Sequence, residues 1–566
     1  MASKREWSKF QSAIFEEVLT GTGSIIVDAK AGAAKTTVVV EATNRMPEGL
    51  TVLMMAFNAS IAKELKERVP SNIQVATYNA WGNRALKAVL PFAKPDQDKY
   101  RKLFRYLVGQ QKFVSKFVVA GSSEIDAIQL EVSDGATPKE AAVSVLNEWY
   151  MSGVIKLVDL ARQFLLAYDS ETDWSWLINR YEVQWGSTYA TDELGIKMAK
   201  EVLAVGNDMA REDGVIDFTD QVYLPIFLNC PFAKFQFIVV DEAQDTNKVQ
   251  REIIRRSLAP SGRLMAVGDP NQAIYGFRGA DADSMDLIAS EFGCKPLPLS
   301  ISYRCSKAVI AEAQGIVPTI EAWENAAEGS VQYATIRMGE SLKMARPGDA
   351  VLCRNTAPLI SLAYSMIRDG KGVRVLGTDI GAGLISLIKT LKVTTVSHLR
   401  EALDKWLDNE KEQAKKKDQP EREGRAVDKY MSIYAVIEAN PTLFRADGIM
   451  QAIDRLFNTH GANLITLCTI HKSKGLEWDN VIIYQPSLCP SRYAKQAWQK
   501  QQENNLLYVG ITRAKVNLYF VEATDSGPSE EGPTMADADY FGGGIDGVSM
   551  AQDLMHEAVL NVQGAD

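Results

Sequence analysis

Phe237-Ile238-Val239-Val240-Asp241-Glu242-Ala243-Gln244-Asp245 is the stretch on which the reading of this chain turns. An apolar run, mostly β-branched, passes straight into a cluster of acids. That pattern predicts a parallel strand buried on both faces, its carboxylates emerging at the C-terminal edge of a sheet. Open α/β sheets bind their ligands at that edge. Two adjacent carboxylates there can divide the labour, one holding Mg²⁺ and the other orienting or deprotonating an attacking water. A buried strand ending in an acidic helix cap fits the same residues, so the flanking sequence has to decide.

Working outward, Ser24-Ile25-Ile26-Val27-Asp28 is a second short apolar run, followed by Ala29-Lys30-Ala31-Gly32-Ala33-Ala34-Lys35-Thr36-Thr37. Strand, small-residue loop, Lys-Thr and helix start is the layout of a phosphate-binding loop. Backbone N–H groups would cradle a triphosphate, Lys35 would reach its outer phosphates and Thr36 would coordinate Mg²⁺. Ala29 and Ala34 occupy the two fixed glycine positions of that motif, and alanine at 34 is expected to work only with a negative φ. Thr51-Val52-Leu53-Met54-Met55-Ala56-Phe57-Asn58 reads as a third strand and Val75-Ala76-Thr77-Tyr78-Asn79-Ala80-Trp81 as a fourth. Aromatics at such strand exits can stack on bases, although isolated ones also serve as core. Downstream, Arg263-Leu264-Met265-Ala266-Val267-Gly268-Asp269-Pro270-Asn271-Gln272 repeats strand and polar loop, with Ala273-Ile274-Tyr275-Gly276-Phe277-Arg278-Gly279-Ala280 behind it.

With Lys35-Thr36, Asp241-Glu242 and the Gln272 run in this order, the chain resembles the UvrD/Rep-type superfamily 1 (1A) DNA helicases over nearly its whole length. The resemblance implies an α/β fold of two RecA-like parallel-sheet (P-loop) motor domains, each with an inserted, mainly helical subdomain. It implies ATP and Mg²⁺ as cofactors, with Gln11 reading adenine, Ala31, Gly32, Ala33, Ala34, Lys35, Thr36 and Thr37 around the phosphates, and Thr36 with Asp241 on the metal. Glu242 would activate water, Gln272 would sense the γ-phosphate, Tyr303 would stack on adenine and Arg304 would contact the γ-phosphate. Thr469-Ile470-His471-Lys472-Ser473-Lys474-Gly475-Leu476-Glu477 resembles the motif whose glutamate, Glu477, holds the ribose and whose histidine, His471, faces DNA. Leu507-Tyr508-Val509-Gly510-Ile511-Thr512-Arg513-Ala514-Lys515 is similar to the last motif, with Arg513 as a second arginine finger. Phe57, Thr77, Tyr275, Phe277, Arg278 and Arg354 fall where the family touches single-stranded DNA. Asn505 and Trp478 depart from the pattern, standing for Arg and Phe respectively, and the motif around Phe57 and Asn58 is one residue short.

The resemblance implies a 3′→5′ helicase or translocase on single-stranded DNA and its junctions with duplex, the two lobes moving about bound ATP. The alternatives are a DNA-stimulated ATPase that displaces proteins and unwinds little, or a nucleotide-binding scaffold without turnover. The expected domains are 1–85 with 206–290 (first core), 86–205 (helical insertion), 291–376 with 459–525 (second core), 377–458 (reduced helical insertion) and 526–566 (acidic flexible tail). Lys99-Tyr100-Arg101-Lys102-Leu103-Phe104-Arg105-Tyr106, with Lys112-Phe113 and Lys116-Phe117, interleaves basic and aromatic residues and reads as a nucleic-acid face or a solvated amphipathic helix.

Composition sets the outer bounds. At 566 residues the chain is too long for one core. No apolar run approaches the ~20 residues that span a bilayer, and Met1-Ala2-Ser3-Lys4-Arg5-Glu6-Trp7 has no secretory apolar segment. The scattered Cys230, Cys294, Cys305, Cys353, Cys468 and Cys489 suit a reducing cytoplasm, bacterial or reached by a phage protein, better than a disulfide framework. Net charge is −9, yet the residues from Val516 onward carry ten acids and no Lys or Arg. The remainder is therefore near neutral and leaves room for a basic groove. Val548, Ala551, Leu554, Met555, Ala558, Val559 and Val562 follow helical spacing, so the tail is a candidate docking helix for a protein partner or a plain terminal helix.

Overall fold

A computed structural model describes residues 6–110, 138–166, 171–186, 190–274, 276, 283–417, 419–461 and 463–525. They fall into two compact units. The first comprises the residues before Ala29, Lys35–Pro270 and the stretch ending at Pro298, and the second comprises Ala29–Ala34, Asn271–Ile274 and the chain from Leu299 on. The acidic tail, Lys112-Phe113, Lys116-Phe117, Tyr275, Phe277 and Arg278 lie outside the described residues.

In the first unit β1 (Ile25–Ala29), β2 (Val52–Ala56) and β3 (Gln74–Thr77) precede a helical insertion, at whose base β4 (Lys94–Pro95) pairs with β5 (Val215–Ile216). After it come β6 (Phe235–Val240), β7 (Leu258–Gly268) and β8 (Lys295–Leu299), and the six-stranded sheet runs β3-β2-β6-β7-β1-β8. The registers of β1 on β7, β7 on β6, β6 on β2 and β2 on β3 are all parallel. Both faces of such a sheet are covered, which is why Phe237–Val240 and Val52–Ala56 are continuously buried. β6, the strand that ends in the acids, sits between β2 and β7.

In the second unit β9 (Ile301–Ser302) pairs with β10 (Glu321–Ala322). β11 (Ser330–Arg337), β12 (Ala350–Cys353), β13 (Val373–Val375), β14 (Ile465–Thr469), β15 (Trp478–Tyr484) and β16 (Ala514–Thr524) make a second six-stranded sheet, ordered β11-β16-β15-β12-β14-β13, with every register parallel. The helices Thr378–Thr390, Val396–Lys416, Pro420–Ala439 and Ala446–Phe457 are inserted between β13 and β14. Each unit is thus α/β, a parallel sheet with inserted helices, and the RecA-like fold class holds. Among the described residues no helix is long and apolar enough to cross a membrane.

Three local readings need correction. β3 stops at Thr77, whose hydroxyl accepts the Ala80 N–H at 3.2 Å and caps the helix Tyr78–Val89. Tyr78 and Trp81 are therefore buried helical residues, Trp81 donating through Nε1 to Ser257 Oγ at 2.9 Å, and neither is a strand-exit aromatic. The domain edges drawn at 85/86 and 205/206 fall inside the helices Tyr78–Val89 and Asp192–Asp213, and β8 lies past the edge drawn at 290. Hydrophobic periodicity does not mark the point where a continuous helix passes from one core to the next.

The run Lys99–Tyr106 is split by its helix. Lys99, Tyr100, Leu103 and Phe104 point into the core, while Arg101, Lys102, Arg105 and Tyr106 face solvent. Lys99 Nζ sits 2.6 Å from Asp220 Oδ2 with both side chains fully enclosed, and Arg162 reaches Asp220 and Asp217 at 2.8 and 2.7 Å. The inward half of this run is therefore core, with Lys99 in a buried ionic joint to the helix Asp220–Phe227. Removing one partner of such a pair strands a charge in a dry site. We expect Lys99→Ala to lose about 3–5 kcal/mol of unfolding free energy in a urea titration. Arg101→Ala and Arg105→Ala should each change it by less than about 0.5 kcal/mol.

Candidate active site

At the C-terminal end of β6 in the first unit, Asp241 is 4% exposed. Its Oδ1 accepts the Glu242 N–H at 3.0 Å. Burial first, and then the neighbouring Glu242 charge, push the Asp241 carboxyl up to about 7, with Lys35 pulling the other way. Glu242 has φ +53°, a left-handed backbone that few side chains adopt. Lys35 Nζ lies 3.6 Å from Glu242 Oε2. Gln244 donates to that same Glu242 oxygen and accepts the Asp269 N–H at 3.1 Å through its own Oε1. A Cβ on Gly268 would come within 2.4 Å of Gln244 Oε1, so the end of β7 must be glycine for this brace to lie across it.

Lys35, Thr36 and Thr37 form the partly exposed first turn of the helix Lys35–Asn44, where the helix dipole favours anions. A set of oxygen donors with a lysine beside them suits Mg²⁺ and a phosphate chain. A divalent cation would also offset the charge of a buried carboxylate that burial now opposes. The residues present therefore fit both groups.

Gln11 is tied up locally. Its Oε1 accepts the Ser8 N–H at 3.0 Å and its N–H donates to Ser8 Oγ at 3.2 Å, closing a capping box. Phe57, directly after β2, is 41% exposed, and Thr77 is the ladder partner of the preceding Ala56. Asn58 caps the next helix by accepting the Ile61 N–H at 2.9 Å, which gives the shortened motif a structural use.

The second unit holds the first part of the loop. Lys30 N–H donates to the Leu299 carbonyl at 3.0 Å, Tyr303 N–H to the Gly32 carbonyl at 2.9 Å, and Ala31 N–H to Tyr508 Oη at 3.0 Å. Gly32 is required twice over: its φ is +73°, and a Cβ would stand 2.5 Å from Ser302 Oγ and 2.7 Å from Arg304 Cβ. Ala34 overturns the expectation of a negative φ. It sits at +60°, in the left-handed turn that the motif's glycine would enter freely.

Arg304 Nε is 2.6 Å from Glu477 Oε2, so the expected γ-phosphate and ribose contacts neutralise each other. Arg513, 1% exposed, donates to the Val509 and Leu476 carbonyls at 3.0 and 3.1 Å, with Gln272 Oε1 3.5 Å from its Nη2. Lys474 Nζ donates to the Gln272 carbonyl at 2.8 Å, and Asn505 Nδ2 to the Ala273 carbonyl at 3.1 Å. Gln272 is thus held at its carbonyl and at its side chain, and Asn505 fixes the residue that follows it.

Arg354, expected at DNA, instead turns Nε and Nη2 onto the buried Glu503 carboxylate at 2.9 and 2.7 Å, which also accepts the Ser491 N–H at 2.8 Å. His471 is partly exposed on the short helix Ile470–Ser473. Gln244, Lys474 and Tyr508 lie inside quoted motifs, although no role was assigned to them. Glu503 carried no signal, because its partner is 149 residues away.

Comparison with known proteins adds the following. Residues 197–293 match the UvrD/REP helicase N-terminal domain and residues 385–525 the UvrD-like helicase C-terminal domain. A probable DNA helicase II homolog of Mycoplasma pneumoniae is 41% identical over 95 residues, 16% of this chain and 13% of that protein. DNA helicase II of Haemophilus influenzae is 30% identical over 125 residues, 21% of this chain and 17% of its own length. F-box DNA helicase protein 1 of Schizosaccharomyces pombe is 23% identical over 90% of this chain and 56% of its own. The chain thus spans less than two thirds of each of these relatives.

Two outcomes follow from this geometry. A left-handed alanine costs about 1–2 kcal/mol, and the extra freedom of an unfolded glycine returns about 0.4–1 kcal/mol of that. Ala34→Gly should therefore stabilise the protein by about 0.5–1 kcal/mol in chemical unfolding; a loss of stability would show that the loop is built around the methyl. For Asp241 the folded value lies above the unfolded one, so its contribution is complete below pH 3.8 and is lost as pH rises to about 7. In EDTA the stability of Asp241→Asn over wild type should grow across that window, to about 4 kcal/mol at pH 8. A gap independent of pH would contradict the burial.

Proposed function

We propose that this chain, which belongs to the UvrD/Rep-type superfamily 1 helicase family, is an ATP-dependent DNA motor: a helicase or translocase moving 3′→5′ along single-stranded DNA and acting at its junctions with duplex. The observation that carries the reading is the buried Asp241 beside the partly exposed Glu242, with Lys35 Nζ 3.6 Å from Glu242. Lys35 and the helix start behind it hold the outer phosphates, and Thr36 with Asp241 would hold Mg²⁺, which supplies positive charge to the leaving phosphates. Glu242, braced by Gln244, takes the proton of the attacking water. Gln272, Arg304 and Arg513 answer the charge that develops on the γ-phosphate. Arg304 must exchange Glu477 for phosphate, which frees Glu477 for the ribose. Phe57, Thr77, Tyr275, Phe277, Arg278 and His471 contact the strand. Arg354 acts behind that surface, by orienting Glu503 and the Ser491 turn. The compartment is the cytoplasm.

Purified protein should hydrolyse ATP much faster with single-stranded DNA than without it, and affinity for the strand should fall steeply with added salt. A 3′-tailed duplex should be unwound in preference to a 5′-tailed one. Stimulation without unwinding would point to protein displacement, and absence of stimulation to a scaffold. Glu242→Gln should bind ATP normally and lose turnover by at least about 10²-fold; an active variant would remove Glu242 from the proton transfer.

A further inference from the structure

β9 and β10 pair in register, Ile301 with Glu321 and Ser302 with Ala322, and the Trp323 N–H donates to the Ser302 carbonyl at 3.1 Å. The ladder therefore delivers Tyr303 and Trp323 side by side, with ring centroids 6.0 Å apart and planes at 49°. Both rings are substantially open to solvent, 37% and 39% exposed. Their backbones are fixed. Tyr303 N–H is bonded to the Gly32 carbonyl of the phosphate loop at 2.9 Å, and Trp323 accepts the Ala326 N–H at 2.9 Å in the turn that follows. Two partly exposed rings on paired backbone, Tyr303 tied to that loop and Trp323 to the neighbouring Ser302, make a platform rather than a core contact. A third planar ring gains a wall on each without ordering new chain.

We propose that Trp323 is a base-binding residue: with Tyr303 it walls the purine of the nucleotide whose phosphates the loop holds. The assignment rests on the reading of Tyr303 as the base-stacking residue, and it adds a second wall and an indole N–H that can donate to a ring nitrogen. Neither ring carries charge, so Trp323 discriminates base from no base and leaves phosphate binding untouched.

The test compares ADP with inorganic tripolyphosphate, a ligand that has phosphates and no base, on the full chain by calorimetry, with tryptophan emission followed in parallel. Trp323→Ala should weaken ADP by about three- to tenfold, the worth of one aromatic pairing, and leave tripolyphosphate unchanged. Trp323→Phe should recover most of the ADP affinity while losing the part of the ADP-induced emission change that Trp323 provides. Equal weakening of both ligands in Trp323→Ala, or an undiminished emission change in Trp323→Phe, overturns the assignment while the nucleotide site stands. Wild-type protein that binds neither ligand overturns the nucleotide reading itself, and this assignment with it.

Discussion

Two carboxyl groups on consecutive residues at the dry end of a strand cannot both hold a full charge without a cation close by. Asp241 and Glu242 are in that position. Burial and mutual repulsion push Asp241 up to about 7, and Lys35 is the group that opposes this. The architecture of the first unit keeps the conflict in place. β6 is flanked by parallel neighbours, Gln244 ties the Glu242 carboxylate to the end of β7, and Gly268 leaves space for that tie. The site holds its charge imbalance as a standing demand for a cation.

The second unit handles charge differently. Its cationic groups lie on oxygens of their own chain: Arg304 on Glu477, Arg513 on backbone carbonyls and near Gln272, Lys474 on the Gln272 carbonyl. An arginine so placed arrives already oriented, and less side-chain freedom remains to be lost when a phosphate displaces a weaker partner. The same packing explains why Asn505 is tolerated where Arg was expected. A buried carboxamide that reaches the Ala273 carbonyl anchors the residue after Gln272 with no additional charge to neutralise.

Much of this was legible in the residues. β1, β6 and β7 follow from apolar runs that stop at polar loops, a signal that parallel strands buried on both faces make unmistakable. What was not legible depended on partners distant in sequence. Lys99 reads as a surface cation until Asp220 is brought beside it, and Arg354 reads as a single-stranded-DNA contact until Glu503 is. Tyr78 and Trp81 look like strand residues because β-branched Val75 and Thr77 precede them, yet the Thr77 hydroxyl starts a helix there. Ala34 shows the limit of propensity: the loop's other bonds impose a left-handed turn that the residue itself disfavours.

The strand order of both sheets bears on how the chain is made. In the first, β6 separates β2 from β7, so β1 to β3 have no finished sheet to join until the whole helical insertion has left the ribosome. In the second, β16 lies between β11 and β15, pairing Ser330 with Asn517, so the earliest strand there stays unmatched until the last one is translated. Bare parallel edges held open for that long invite mispairing with other nascent chains. A fold whose closing strand comes late in synthesis relies on the cell's chaperones at each end of its translation.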